Sequence, residues 1–314
     1  MTHTHSSHIL HLFCSILLFY SLSGTRIIRS TDNSKGQTKI IKCTRWAELT
    51  DALKFHAELS EVGHTPSEFR LLNGADPVMV GLGNDNHEGL DFANEVFDEQ
   101  PAGQTPLCHH VRCVVEAIEA LAPTLRAQGK KAAVIIATDG ESSDGNITEA
   151  LRPLHTLPVW VVLRLCTNDA KIVEYWNNID KELELEMDVI DDLVEDAEQV
   201  HKVNPWLIYG DELHRLREFG ASFKELDLID ESSLGSEQMC ALLNVLLDAK
   251  FPHPDVDYKE FRKQVQLKVQ SAPQIFNPLT GKFEPCINLR ELDKAFGDNS
   301  GSSNGSGSKA CLIS

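Results

Sequence analysis

The chain has 314 residues, of which 42% are hydrophobic and 24% are charged, a globular composition that excludes disorder throughout the chain. Its 29 Lys and Arg residues against 47 Asp and Glu residues give a formal net charge of −18. Binding to a nucleic-acid backbone relies on clustered Lys and Arg side chains, so this charge balance argues against nucleic acid as a partner.

An apolar stretch, Ile9–Leu22, precedes the main part of the chain. It is shorter than the roughly 20 residues of a membrane-spanning helix, and the residues before it lack the Lys or Arg typical of a secretory leader. Residues 1–24 are therefore interpreted as an apolar leader, either a cleaved signal or a misassigned start. The eight cysteines are scattered, with no pair at metal-binding spacing, and this usage favours a reducing, cytoplasmic compartment.

From Arg45 onward, helical and strand patterns alternate, as in an α/β protein. Short apolar runs bounded by turn residues predict strands at Phe69–Leu72 and Val78–Leu82. Continuous apolar runs predict strands buried on both faces at Ala132–Ala137 and Val159–Leu165. Amphipathic spacing predicts helices at Arg45–Leu59, His87–Phe97, Leu107–Gln128, Ile147–Leu157, Ala170–Leu183 and Ala197–Phe219.

Beyond Gly220 the pattern becomes helical. Helices are predicted at Ser236–Ala249 and Tyr258–Val269, and the Pro- and Gly-containing segment Asn277–Ile287 is predicted to be a loop. These patterns predict a doubly wound, mostly parallel α/β sheet over residues 25–220 and a small helical extension over residues 221–297.

The C-terminal residues carry a lipidation motif. Residues 298–314 form a Gly/Ser-rich tail that ends in Cys311-Leu312-Ile313-Ser314, a CaaX box whose final Ser favours farnesylation of Cys311. Processing of such a box begins in the cytosol, which disfavours the secretory route. Because one farnesyl group gives only weak, reversible membrane binding, the sequence predicts a cytoplasmic protein with peripheral membrane attachment through the lipid.

Polar residues stand where open α/β sheets bind ligands, at the carboxyl ends of strands. Asp139 follows the apolar run of a predicted strand, within Thr138-Asp139-Gly140, and Thr105 stands in Gly-Gln-Thr-Pro-Leu at the start of the long helix. Together with the Arg45-Trp46 helix start, these motifs resemble the von Willebrand factor A domain of intracellular proteins. The resemblance extends over residues 25–219.

In that family these loops build a metal-ion-dependent adhesion site. The resemblance implies that Mg²⁺, with Mn²⁺ or Ca²⁺ as alternatives, is ligated by the hydroxyls of Ser34 and Thr105 and through waters by Asp32 and Asp139. The first motif of the family, Asp-x-Ser-x-Ser, is degenerate, because Gly36 occupies its third position. The implied function is a non-enzymatic module that binds an acidic residue of a partner protein through the metal.

Two alternatives stay open. A metal-free scaffold of the same fold would bind its partner without an ion, since the first motif is degenerate. A metal-dependent hydrolase would use Asp32 and Asp139, although the sequence contains no P-loop or G-x-G-x-x-G motif. Two nearby segments have structural interpretations: residues 141–144 are predicted to cap the next helix, and the acidic stretch Asp180–Glu198 is predicted to be a solvated helix face.

Overall fold

The computed structural model describes residues 24–29, 38–73, 76–83, 87–99, 103–167, 169–183, 185, 187–221 and 223–297, with side chains from residue 44 onward except residue 180. The strands are β1 (Gly24–Arg29), β2 (Thr38–Cys43), β3 (Ser67–Phe69), β4 (Val78–Val80), β5 (Ala132–Thr138), β6 (Val159–Leu165), β7 (Met187–Ile190), β8 (Ile275–Asn277) and β9 (Lys282–Glu284). The helices are α1 (Arg45–Gly63), α2 (Glu88–Phe97), α3 (Leu107–Gln128), α4 (Ile147–Leu151), α5 (Ala170–Leu183), α6 (Leu193–Val203), α7 (Asp211–Glu218), α8 (Lys224–Asp227), α9 (Ser236–Leu246), α10 (Tyr258–Ser271) and α11 (Leu289–Phe296).

The largest sheet among these elements is parallel, and β6 lies in it between β5 and β7. β5 and β6 pair over their full length, from Ala132 opposite Val159 to Thr138 opposite Leu165. Every residue of both strands is buried. Their continuous apolar sequences follow from this burial, because a strand covered on both faces has no side that contacts water. The two buried strands predicted from these runs are confirmed.

Helices cover both faces of this sheet. On one face, Val134 and Ile136 of β5 share an apolar core with α3. On the other face, Ala133 and Ile135 share a core with α1, α2 and the β3–β4 pair. The described chain is therefore a mixed α/β fold built around a parallel sheet, as the alternation of sequence patterns predicts.

The long helix α3 begins and ends where the sequence predicts. Gly129, directly after its last residue, has left-handed backbone with φ of 63° and donates its N–H to the carbonyl oxygens of Leu125 and Arg126. A residue with a Cβ is disfavoured in this conformation, so glycine is suited to end the helix here.

The remaining strands form three antiparallel pairs, β1–β2, β3–β4 and β8–β9. The sequence predicts a strand at Phe69–Leu72, whereas β3 covers Ser67–Phe69 and pairs with β4 from Ser67 opposite Val80 to Phe69 opposite Val78. β2 stands between residues 30–37 and the start of α1, so the degenerate first motif does not lead directly into that helix.

The single helix predicted over Ala197–Phe219 is interrupted. Asn204 leaves helical geometry, with φ of −131° and ψ of 64°, before Pro205, and proline disfavours helical backbone in the residue that precedes it. The Asn204 side chain is buried and makes three hydrogen bonds, of 2.8, 2.8 and 3.0 Å, to backbone groups in residues 229–234. At this break, the Asn204 side chain therefore holds the loop between α8 and α9 in place through these hydrogen bonds.

A third apolar core lies in the C-terminal half and shares no residue with the two cores around the sheet. It extends from Leu193 of α6 to Leu292 of α11, so helices before residue 221 already contribute to it. The segment Asn277–Ile287, predicted to be a loop, contains the last residue of β8 and all of β9, which are joined by a turn in which Gly281 has φ of 66°. No helix within the described ranges has both the length and the apolar character needed to cross a bilayer.

Candidate functional site

The carboxyl ends of β5 and β6 lie side by side. The backbone N–H of Cys166, just after β6, donates to the carbonyl oxygen of Thr138, the last residue of β5, at 2.8 Å. Asp139 follows Thr138 directly, so its side chain stands at the edge of the parallel sheet where open α/β folds bind ligands.

The structure brings the Thr105 loop to the segment that follows Asp139. The backbone N–H of Ser143 donates to the carbonyl oxygen of Thr105 at 2.8 Å. On its other side, the loop is held by Asn73, whose Nδ2 donates to the carbonyl oxygen of Gln104 at 2.5 Å. The loop that holds Thr105 and the segment after Asp139 are therefore hydrogen-bonded neighbours.

Asp144 fastens these two loops through the start of α3. Its carboxylate accepts from the backbone N–H groups of Cys108 and His109, at 2.9 and 2.8 Å, and from Ser142 Oγ at 2.7 Å. Partial desolvation opposes the charged form, but these donors hold the pKa of Asp144 below its ordinary value. The positive end of the helix dipole favours the same charge.

The prediction that residues 141–144 cap the following helix is wrong for Asp144, because this carboxylate caps the preceding helix. The cap of α4 is Asn146, whose Oδ1 accepts from the backbone N–H of Thr148 at 3.0 Å. The N-terminal N–H groups of α3 lack any side-chain cap from the residue before it, Pro106, and a neighbouring loop supplies the acceptor instead.

Among the described residues at this edge, Asp139 is a carboxylate with no oppositely charged partner. Its side chain is half-buried, and burial raises the pKa of its carboxyl to about 6, opposed only by a hydrogen bond from its own backbone N–H. No ion pair with a described Lys, Arg or His offsets this cost. A cation placed here would favour the charged carboxylate.

A cluster of buried charged side chains lies next to this edge, around Arg164 of β6. Arg164 of β6 donates to Glu218 of α7 and to Glu48 of α1, at 2.6 Å in each case. Glu218 also lies 3.3 Å from Nε2 of His214. We call Arg164, Glu48, Glu218 and His214 the buried charge cluster; it joins the sheet edge to the first helix and to the C-terminal helical core.

The sequence patterns did not predict this cluster, although one signal for it is present. Arg164 is the single charged residue in the apolar run of β6, and a buried guanidinium requires anionic partners. The acidic stretch Asp180–Glu198 supplies further buried acids, so its prediction as a solvated helix face is wrong in part. Asp188 pairs with Arg217 at 2.9 Å, and Asp196 with His214 at 3.2 Å.

Other predicted site residues lie outside the described residues. These are Asp32 and Ser34, between β1 and β2, and Cys311 in the C-terminal tail. Their assignments stay predictions. Within the described ranges, no three or more His, Cys, Asp or Glu side chains are grouped to hold a metal ion, so a metal at this edge would combine Asp139 with hydroxyl oxygens such as that of Thr105.

The two carboxylates of this segment should respond to substitution with opposite signs. We expect Asp144→Ala to lower the free energy of unfolding by about 1–2 kcal/mol, because α3 loses its cap. We expect Asp139→Asn to raise it at about pH 7.5 in EDTA, because a desolvated charge is removed.

Urea unfolding of both variants beside the native chain measures this difference. A raised carboxyl pKa means that the folded state loses stability as pH rises from about 4 through 6, so the gain in Asp139→Asn should shrink at about pH 5. A loss of similar size in both variants would show that Asp139 is a stabilising structural acid.

A scan of the chain against protein-family models gives no match, and a search of curated proteins finds none similar to it. The functional assignment therefore depends on the residues at the carboxyl edge of the sheet.

Proposed function

We propose that this protein is a non-enzymatic interaction module of the von Willebrand factor A type, which binds a partner protein through Mg²⁺ at the carboxyl edge of its sheet. The observation that carries the proposal is Asp139, a half-buried carboxylate with a raised pKa and no balancing cation among the described residues. The segment that follows it is joined to the loop that holds Thr105, through the hydrogen bond from Ser143 N–H to the Thr105 carbonyl oxygen.

The residues present fit a magnesium ion of this kind. Mg²⁺ is a hard cation that prefers oxygen ligands in octahedral geometry and retains several waters. Thr105 would supply a hydroxyl, Asp139 would act through a water, and Asp32 and Ser34 complete the set by the resemblance. With few charged ligands, the ion would remain electrophilic and accept a carboxylate from the partner.

The fold supports the same proposal. A parallel sheet with helices on both faces has Asp139 and the segment after β6 at its carboxyl edge, the edge at which open α/β folds bind ligands. The hydrogen bonds of Asp144 hold the Thr105 loop against that edge without using Asp139. The two loops are therefore held together by hydrogen bonds of the chain itself.

Thermal unfolding of the full chain in Mg²⁺ and in EDTA tests the proposal. A ligand that binds only the folded state stabilises it by about 2.7 kcal/mol at a hundredfold excess over its dissociation constant. We expect Mg²⁺ to raise the melting temperature of the native chain by several degrees and to leave Asp139→Ala and Thr105→Ala unchanged.

Glu149→Gln is the matched control, because Glu149 is an exposed carboxylate on α4 near the same loop. It should keep the full response to Mg²⁺. If the native chain shows no response, the metal-dependent proposal is wrong and the metal-free scaffold takes its place. A response that survives in Asp139→Ala would place the ion elsewhere.

A further inference from the structure

The surface of α3 carries a histidine and a cysteine in contact with each other. His109 and Cys113 are four residues apart, so their side chains lie on the same side of the helix. Nε2 of His109 lies 3.9 Å from Sγ of Cys113, and this contact is exposed. The His109 side chain is exposed and that of Cys113 is partly buried, so the pair is open to solutes.

The separation of these two atoms is close to the one that a single zinc ion requires. Zn²⁺ binds Cys sulfur at about 2.3 Å and His nitrogen at about 2.0–2.1 Å, in tetrahedral geometry. These lengths and a tetrahedral angle place the two ligand atoms about 3.5–3.6 Å apart. The observed separation of 3.9 Å is larger by a few tenths of an ångström, which small rotations of the two side chains would remove.

The turn that carries His109 is held by groups outside the helix. The carboxylate of Asp144 accepts a hydrogen bond from the backbone N–H of His109 at 2.8 Å. The His109 ring packs edge-on against the ring of His110, with centroids 5.3 Å apart, and Nε2 of His110 lies 3.1 Å from the carbonyl oxygen of Leu72. Because these contacts already order the backbone and the ring, little conformational freedom is lost when an ion binds.

Two carboxylates near the pair favour a cation. The N-terminal end of a helix carries partial positive charge, which disfavours a bound cation. The carboxylate of Asp144 lies at this end of α3, where it accepts from backbone N–H groups. Glu116 is exposed and follows Cys113 by three residues, so it neighbours the pair on the helix surface. These negative charges oppose both the helix dipole and the charge of Arg112.

We propose that His109 and Cys113 bind a zinc ion. Thiolate and imidazole are ligands that Zn²⁺ prefers, whereas Mg²⁺ prefers oxygen, so this site is independent of the one proposed at Asp139. No third His, Cys, Asp or Glu joins the pair among the residues that the structure describes, which leaves two tetrahedral positions for water. On binding, the S–H bond of Cys113 is replaced by an S–Zn bond, and the proton is released to solvent.

Histidine-ring NMR of the full chain, titrated with Zn²⁺, tests the proposal at a single residue. The ring signals of His109 are assigned with His109→Gln, and a phosphine reductant keeps the cysteines reduced without adding thiol ligands. His155, an exposed histidine with no cysteine three or four residues away, is the control within the same molecule. We expect the His109 signals to change at a Zn²⁺ concentration at least about tenfold lower than those of His155, because the second ligand acts within the same molecule.

Three variants separate zinc binding from a hydrogen bond that only stabilises the helix. Cys113→Ser should raise the Zn²⁺ concentration needed at His109 to that of His155. Cys113→His supplies a second ligand at the same spacing and should restore the tighter binding. Asp139→Ala should leave the response of His109 unchanged, whether or not Mg²⁺ binds at the sheet edge.

The proposal fails if the pair behaves as two independent side chains. Equal responses of His109 and His155 in the native chain would show that the contact is a hydrogen bond of the helix only. An unchanged response in Cys113→Ser, or no recovery in Cys113→His, would also overturn it. Loss of the His109 response in Asp139→Ala would assign the effect to the sheet edge instead of to this pair.

Discussion

Replacing Arg164 with Met should lower the free energy of unfolding by about 3–5 kcal/mol. Arg164 is 4% exposed, and its guanidinium donates to Glu48, to Glu218 and to the carbonyl oxygens of Leu165 and Asp191. The substitution leaves two carboxylates in the buried charge cluster without their shared cation. A buried charge that has lost its partner costs more than the pair itself contributes.

Arg152→Met is the matched control for this substitution. Arg152 approaches Glu182 at 3.5 Å, and both side chains are more than half exposed, so its loss should cost at most about 1 kcal/mol. Arg164→Lys keeps the positive charge but lacks the planar guanidinium with its several N–H donors. Its loss in the free energy of unfolding should therefore lie between those of Arg164→Met and Arg152→Met. Urea unfolding measures all three variants, and equal losses for Arg164→Met and Arg152→Met would contradict the role of the cluster.

The stability of the protein should fall by about 2–3 kcal/mol as pH rises from about 6.5 to 8.5 because of His214. Burial lowers the pKa of His214, but Glu218 and Asp196 outweigh it and raise the pKa to about 9. Nδ1 lies 3.2 Å from Asp196 and also 3.2 Å from the hydroxyl of Tyr209. Arg217 also pairs with Asp196, at 3.7 Å.

Stability falls with rising pH because the pKa of His214 is higher in the folded state than in the unfolded state. The contribution is complete below the unfolded pKa of 6.5 and is lost as pH rises through the folded pKa of about 9. Urea unfolding across this range should show the decline in the native chain and in His56→Gln, and its absence in His214→Gln. A native chain with constant stability over the range would show that His214 is neutral in the folded state.

Both predictions concern charges that join the sheet edge to the C-terminal helices. Arg164 immediately precedes Leu165 and Cys166 at the end of β6, and Cys166 is hydrogen-bonded to the residue before Asp139. The cluster therefore holds the edge that carries the candidate site in position. Variants in it should be judged by stability before any effect on binding is interpreted.

The sequence was informative where burial alone decides structure. β5 and β6 follow from continuous apolar runs, because strands covered on both faces leave that pattern. The end of α3 follows from Gly129, because its backbone conformation favours glycine. The hydrogen bond from Ser143 to Thr105, which joins the loop after β5 to the loop before α3, was not foreseen.

The failures share a physical cause, since each depends on contacts between residues distant in sequence. Asp144 caps a helix that begins before it in the chain. Pro205 is a local signal for the end of α6, but the loop about 25 residues later that binds the Asn204 side chain has none. Arg164 finds Glu48 and Glu218 in two other elements. Local periodicity carries no information about these partners.

The ionisation of Asp139 tests the central claim most directly. We would follow its carboxyl carbon by NMR in the full chain, assigned with Asp139→Asn, over a pH series in EDTA and in millimolar Mg²⁺. We expect a pKa of about 6 in EDTA and a lower pKa in Mg²⁺, because a bound cation favours the charged carboxylate. An identical pKa in both conditions would contradict a metal site at this edge of the sheet.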